Sequence, residues 1–188
     1  MNLVRNLGKS EALRHGLIYA VEKNYQRVGF TDFDLSTPPA EISRLMKLCE
    51  DIGIGATSIF GVRNIEFSSE IRTSYFRKKQ GRIFQRIINF IFASDFQDLQ
   101  CGMKIFPVSV LSRELLAEPF TNQWLFELEL LLRLPDACID IAEINLNEWT
   151  HFKESKVRVF HFLHIVVSIV KLYLRYRKIS SIRSLVCY

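Results

Sequence analysis

The chain has 188 residues, 48% of them hydrophobic, and a formal net charge of +5. That length suits one substantial core rather than two domains, and the apolar fraction argues against global disorder. The positive balance fits an anionic membrane surface, a phosphorylated substrate or nucleic acid equally well, so charge alone does not choose among them. Cys49, Cys101, Cys138 and Cys187 stand far apart and form no paired metal motif, which favours a reducing compartment over a disulfide scaffold. Arg5, Lys9, Glu11 and Arg14 interrupt any continuous apolar leader, so secretion is not expected.

Residues 9–24 place Ala12, Leu13, Gly16, Leu17, Ala20 and Val21 at spacings near 3.6 and predict a helix. Just before it, Asn6-Leu7-Gly8-Lys9-Ser10 offers Lys9 to an anion but lacks the upstream glycine spacing of a phosphate loop. Residues 28–31 are a brief apolar run that predicts a buried strand ending at Asp32, and open α/β sheets hold ligands beyond such ends. Asp32 and Asp34, spaced i and i+2, are expected on one side of the chain, where both would meet one hard cation carrying a diphosphate. The other reading is a turn and helix cap, since Ser36, Thr37, Pro38 and Pro39 follow at once. The prolines open a helix with Ile42, Leu45, Met46, Leu48 and Cys49 on its apolar face.

A second strand is expected over residues 56–60, leading to Arg63. Arg63, Arg72, Arg77, Lys78, Lys79, Arg82 and Arg86 make the main basic region, ordinarily a solvated face. Ile83, Phe84, Ile87, Ile88, Phe90 and Ile91 then form an apolar helical face suited to a sheet or to lipid. Gly102, within residues 99–106, permits a bend or a close backbone approach, and Pro107 is expected to open a short helix ending near Leu116. Residues 124–134 predict a compact helix on which Glu127 and Glu129 stand roughly 200° apart, so one serves a pocket and the other does not. A late strand over 138–143, a polar loop over 145–156 and an apolar helix over 157–176 complete the pattern. His161, His164 and Lys171 mark that last helix as interfacial or sheet-packed rather than membrane-spanning, ahead of a basic tail.

The ordered set Asn6-Leu7-Gly8-Lys9, Thr31-Asp32-Phe33-Asp34-Leu35-Ser36-Thr37-Pro38, Gly61-Val62-Arg63, Asp98-Leu99-Gln100-Cys101-Gly102-Met103-Lys104, Trp124-Leu125-Phe126-Glu127-Leu128-Glu129 and Ser155-Lys156 resembles family 2 glycosyltransferases, in particular their dolichyl-phosphate or polyprenyl-phosphate hexosyltransferase branch. The likeness runs from Asn6 to about Tyr176. It implies an α/β fold: a partial Rossmann-like nucleotide-sugar transferase (GT-A type) fold lacking its N-terminal strand–helix units. Residues 1–156 would be an incomplete catalytic domain and 157–188 an amphipathic helix with a basic tail. The resemblance implies transfer of a hexose from a UDP-glucose or GDP-mannose type donor to a polyprenyl or dolichyl phosphate. It places the protein in the cytoplasm, peripheral on the cytoplasmic face of a membrane.

By that resemblance Asp32 and Asp34 hold Mg2+ or Mn2+, and Asp34, Glu127 and Arg63 are the catalytic set, with Glu127 standing where the family usually has Asp. Arg77 and Arg82 fall at acceptor-phosphate contacts, and Lys156 at a loop that closes over the diphosphate. Asp98, Gln100, Gly102 and Lys104 shape the sugar side. Ser10 and Glu11 depart from the family's small residues in the first loop. The family's opening strand and base-binding loop have no counterpart before Asn6, so the expected partners include a missing N-terminal half or a second copy of the chain. Nucleic acid is not among them, because neither an aromatic platform nor a recognition-helix signature is present.

Overall fold

The computed structural model describes residues 6–51, 57–63, 75–134, 140–150 and 159–176, with the side chains of 51, 75–80 and 159–164 left aside. The described residues form a mixed α/β fold of five α-helices and a four-stranded sheet. In chain order these are α1 (Lys9–Glu22), β1 (Arg27–Phe30), α2 (Pro39–Asp51), β2 (Ser58–Val62), α3 (Tyr75–Phe92), β3 (Lys104–Pro107), α4 (Phe126–Arg133), β4 (Ile141–Asn145) and α5 (Val159–Tyr176).

The strand order is β1-β3-β2-β4. β3 runs antiparallel to both neighbours, pairing Phe30 with Lys104 on one side and Phe60 with Lys104 on the other, while β2 and β4 are parallel. β1 and β4 are therefore the edges of the described sheet.

Strand alternation assigns each residue to a layer. On one face Phe30, Phe60 and Phe106 join Leu17 of α1, Ile88 and Phe92 of α3, most of α4, and Ile169 and Leu172 of α5. The rings interlock: Phe60 meets Phe106 edge-on at 5.5 Å, and Phe30 lies 5.7 Å from Phe126. On the other face Ile59, Met103 and Ile105 pack on Leu45 and Cys49 of α2, with Leu146 and Trp149 closing the layer. Each fully buried large side chain contributes about 1.5–3 kcal/mol, so this two-sided core is what holds the sheet between the helices. Gly61 keeps this layer close-packed, because a β-carbon there would lie 3.0 Å from Leu146 Cδ2 and 3.2 Å from Met103 Cβ and would push those side chains back.

Local signals account for most boundaries. Gly8 enters α1 at φ 88°, and its carbonyl accepts the amide of Ala12. Pro39 opens α2. One expectation fails: Pro107 ends β3 instead of opening a helix, and only a 3-10 turn at Val108–Val110 follows. Val108, Val110 and Leu111 are all buried, and Leu111 is already extended (φ -106°, ψ 143°), so the turn ends there instead of continuing as a helix towards Leu116.

α5 is tied into the same core. Asn122 donates to Ser168 Oγ at 2.7 Å, and Arg175 pairs with Glu118. Its outer side is another matter: Val166, Val167, Val170, Tyr173 and Leu174 are all exposed, as are Ile83, Ile87 and Phe90 of the neighbouring α3. No helix among the described residues is long and apolar enough to cross a membrane.

Candidate functional site

β1 ends at Phe30, and the chain turns at Phe33 and Asp34, with Leu35 at φ 58°. Asp34 Oδ1 accepts the Ser36 amide at 2.9 Å, closing a side-chain turn that sits at the surface with Phe33 wholly exposed. Strand alternation thus stops before the two aspartates, and the i, i+2 argument for a shared side does not hold across them. Asp32 turns inward instead. Its Oδ1 accepts from Lys9 Nζ at 2.6 Å, and Lys9 reaches Glu127 Oε1 at 3.8 Å. The same ammonium lies 5.3 Å from the centre of the Phe126 ring. Gly102 backs the other oxygen of Asp32, where a β-carbon would sit 2.1 Å from Oδ2.

Glu127 occupies the first turn of α4 and is buried, whereas Lys9 is half exposed. Burial pushes the Glu127 carboxyl above its ordinary range, against the pull of Lys104 and Lys9. Glu129 points away: it accepts from Thr121 N, Thr121 Oγ1 and Arg133 Nη2 and knits α4 to the preceding loop. The opposed placement expected of these two glutamates is what the helix shows.

The loop before β3 is built around charge. Arg63, just past β2, donates from Nε at 2.6 Å and from Nη2 at 2.7 Å to the two oxygens of Asp98, a bidentate pair. The guanidinium also lies over the Trp149 ring at 5.2 Å. Burial works against both charges, but Arg63 holds the Asp98 carboxyl below its usual range and Asp98 raises the guanidinium in return. Glu143 of β4 receives the amides of Gln97 and Asp98. Lys104 is fully buried and donates to the carbonyls of Leu99 and Cys101 at 2.8 and 2.5 Å. Burial lowers its pKa, with Glu127, Cys101 and Asp98 opposing.

The expected site residues therefore divide. Asp32 and Glu127 meet at Lys9, and Gly102 lies close to Asp32. Arg63, Asp98 and Lys104 brace the loop that carries Gly102, and Gln100 lines a shallow cleft with Glu127, Phe84, Ile88 and Trp124. Asp34 is spent on its own turn, and Arg82 is exposed on α3. The Arg77 side chain and Lys156 lie outside the described residues. Lys9, Glu143 and Trp149 were absent from the expected site. Lys9 had a signal, its glycine-preceded position at a helix start, while Glu143 and Trp149 look like any strand and loop residue.

Among the described residues no group of three or more His, Cys, Asp or Glu side chains gathers to hold a metal ion. Asp32 carries an ammonium on Oδ1 and Asp34 an amide on Oδ1. This donor set does not fit Mg2+ or Mn2+ as it stands, because an ion taking Asp32 must first displace Lys9.

No protein-family model matches the chain, and no curated protein matches it.

Proposed function

We propose that the chain is built to transfer a hexose from a nucleotide-sugar of UDP-glucose or GDP-mannose type to a polyprenyl or dolichyl phosphate, on a Rossmann-like (GT-A type) fold. One observation carries this reading. Lys9, far from both in sequence, pairs with Asp32 just beyond the end of β1 and reaches Glu127 of α4, with the Gly102 backbone close to the Asp32 carboxylate and the braced Arg63–Asp98 pair in the same loop region. In the reaction an acceptor phosphate oxygen forms a bond to the anomeric carbon as the bond from that carbon to the donor diphosphate breaks, and the electron pair leaves with the nucleoside diphosphate. The acceptor oxygen is already anionic near neutral pH, so positioning and charge compensation matter more than a strong base. Lys9 and Arg63 supply positive charge at the site, and Glu127 sets the position of Lys9. β1 is an edge strand, so a partner polypeptide or second copy adding a strand there belongs to the same reading.

The test is transfer of labelled glucose or mannose from UDP-glucose and GDP-mannose to polyprenyl phosphate, with and without Mg2+ or Mn2+, by wild type and Asp32→Ala. Product from wild type that falls to background in D32A is expected. Equal product from both proteins, or none from either, overturns the proposal.

The exposed apolar side chains of α3 and α5 favour a second reading: a non-catalytic module that sits on a membrane. Arg82, Arg86 and Lys171 are exposed beside them, a pattern suited to an anionic lipid surface. Sedimentation with phosphatidylglycerol vesicles, together with no transfer in the assay above, is the result that selects it.

A further inference from the structure

We propose that β1 is the docking edge for a second copy of this chain, the two β1 strands pairing antiparallel about a two-fold axis at Gly29. Val108 N donates to Gln26 O, and Pro107, opposite Arg27, has no amide hydrogen to give. The hydrogen-bonded pairs of the β1–β3 ladder are therefore Val28 with Phe106 and Phe30 with Lys104, while Arg27 and Gly29 turn their N–H and C=O groups outward. No described strand lies beyond them. Gly29 is exposed and has no side chain to cover the edge, and neither a proline nor a bulge interrupts residues 27–30. Antiparallel self-pairing sets Gly29 against Gly29 and Arg27 against Thr31, so the outward groups satisfy one another and one isologous contact closes the edge. The residues flanking β1 favour this partner. Tyr25 is 54% exposed and Phe33 wholly exposed, and they stand equally far along the chain on either side of Gly29. The two-fold brings Tyr25 of each copy toward Phe33 of the other, with Tyr19 beside Tyr25 at 6.4 Å between ring centres. Charge fits as well: Arg27 opens the strand and Asp32 and Asp34 follow it, so the basic start of one copy lies along the acidic end of the other. The pairing depends on the strand edge and its flanks alone and holds with or without sugar transfer.

Sedimentation velocity over a concentration series, with residue-resolved amide exchange by NMR on the wild-type chain, tests this. A dimer that dissociates on dilution is expected. The Arg27 and Gly29 amides should be protected only where the dimer is populated, and those of Val28 and Phe30 throughout, because β3 holds them. A monomer at every concentration overturns the proposal. So does a dimer in which Gly29 exchange does not depend on concentration, the signature of association through another surface such as α3 and α5. Tyr25→Ser combined with Phe33→Ser alters only exposed positions and should raise the dimer dissociation constant at least about tenfold. An unchanged constant overturns it as well.

Discussion

Gly102 stands so close to Asp32 that a β-carbon on it would lie 2.1 Å from the carboxylate Oδ2. The close approach brings the turn after β1 to the loop before β3, beside the carboxylate whose Oδ1 accepts from Lys9. Gly102→Ala should force the carboxylate off Lys9 and destabilise the fold by about 1–3 kcal/mol, the usual range for overpacking. The effect should shrink sharply in a D32A background, where the colliding atoms are gone. Urea unfolding of the two single variants and the double variant measures the coupling, and additive losses would refute the contact.

The Arg63–Asp98 pair predicts a pH signature. Asp98 is held below its ordinary carboxyl value of 3.8, so its contribution to stability is fully present above that value and disappears as pH falls through the lower, folded-state pKa. Asp98→Asn should cost about 2–3 kcal/mol at pH 7, typical of lost charge-assisted hydrogen bonds, and much less at an acid pH below the folded-state pKa, itself lower than 3.8. Chemical denaturation at both pH values checks the sign. A gap between wild type and D98N that widens on acidification would contradict it.

Lys104 should prove structural before anything else. Lys104→Met keeps the stem but strands the carbonyls of Leu99 and Cys101 and removes a positive charge beside Glu127. A loss of about 2–4 kcal/mol is expected, with faster amide exchange over residues 97–102 than elsewhere. Uniform acceleration across the sheet would mean that Lys104 supports the whole core instead of this loop.

Burial pushes the Cys101 thiol up to about 11 and raises Cys49 for the same reason. Both should resist iodoacetamide at pH 8 in the folded protein and label fully in denaturant, as read by peptide mapping. Rapid native labelling of Cys101 would show that the loop opens on the timescale of the experiment.

Replacing Val167, Val170 and Leu174 with Ser changes only exposed positions of α5, whereas deleting the helix would take Ile169 and Leu172 from the core. The triple variant should fold normally and bind phosphatidylglycerol vesicles at least about tenfold more weakly. Unchanged binding would remove α5 as the membrane-facing element.

The sequence by itself determined the local elements, because their causes are local. Gly8 and Pro39 mark helix starts, the spacing of Leu13, Leu17 and Ala20 winds α1, and alternating residues such as Ile59 and Phe60 commit β2 to two opposite layers. It also determined that Glu127 and Glu129 must part, since helical geometry separates positions two apart. Where an element's fate depends on distant packing, local reading failed, as at Pro107, whose following valines were claimed by the core. The candidate site was decided by tertiary structure alone. Lys9 and Asp32 are 23 residues apart, and Arg63 and Asp98 are 35 apart. Nothing in the spacing of Asp32 and Asp34 reveals that one takes a lysine while the other closes a turn, because the outcome depends on which chain segment the fold brings to each carboxylate.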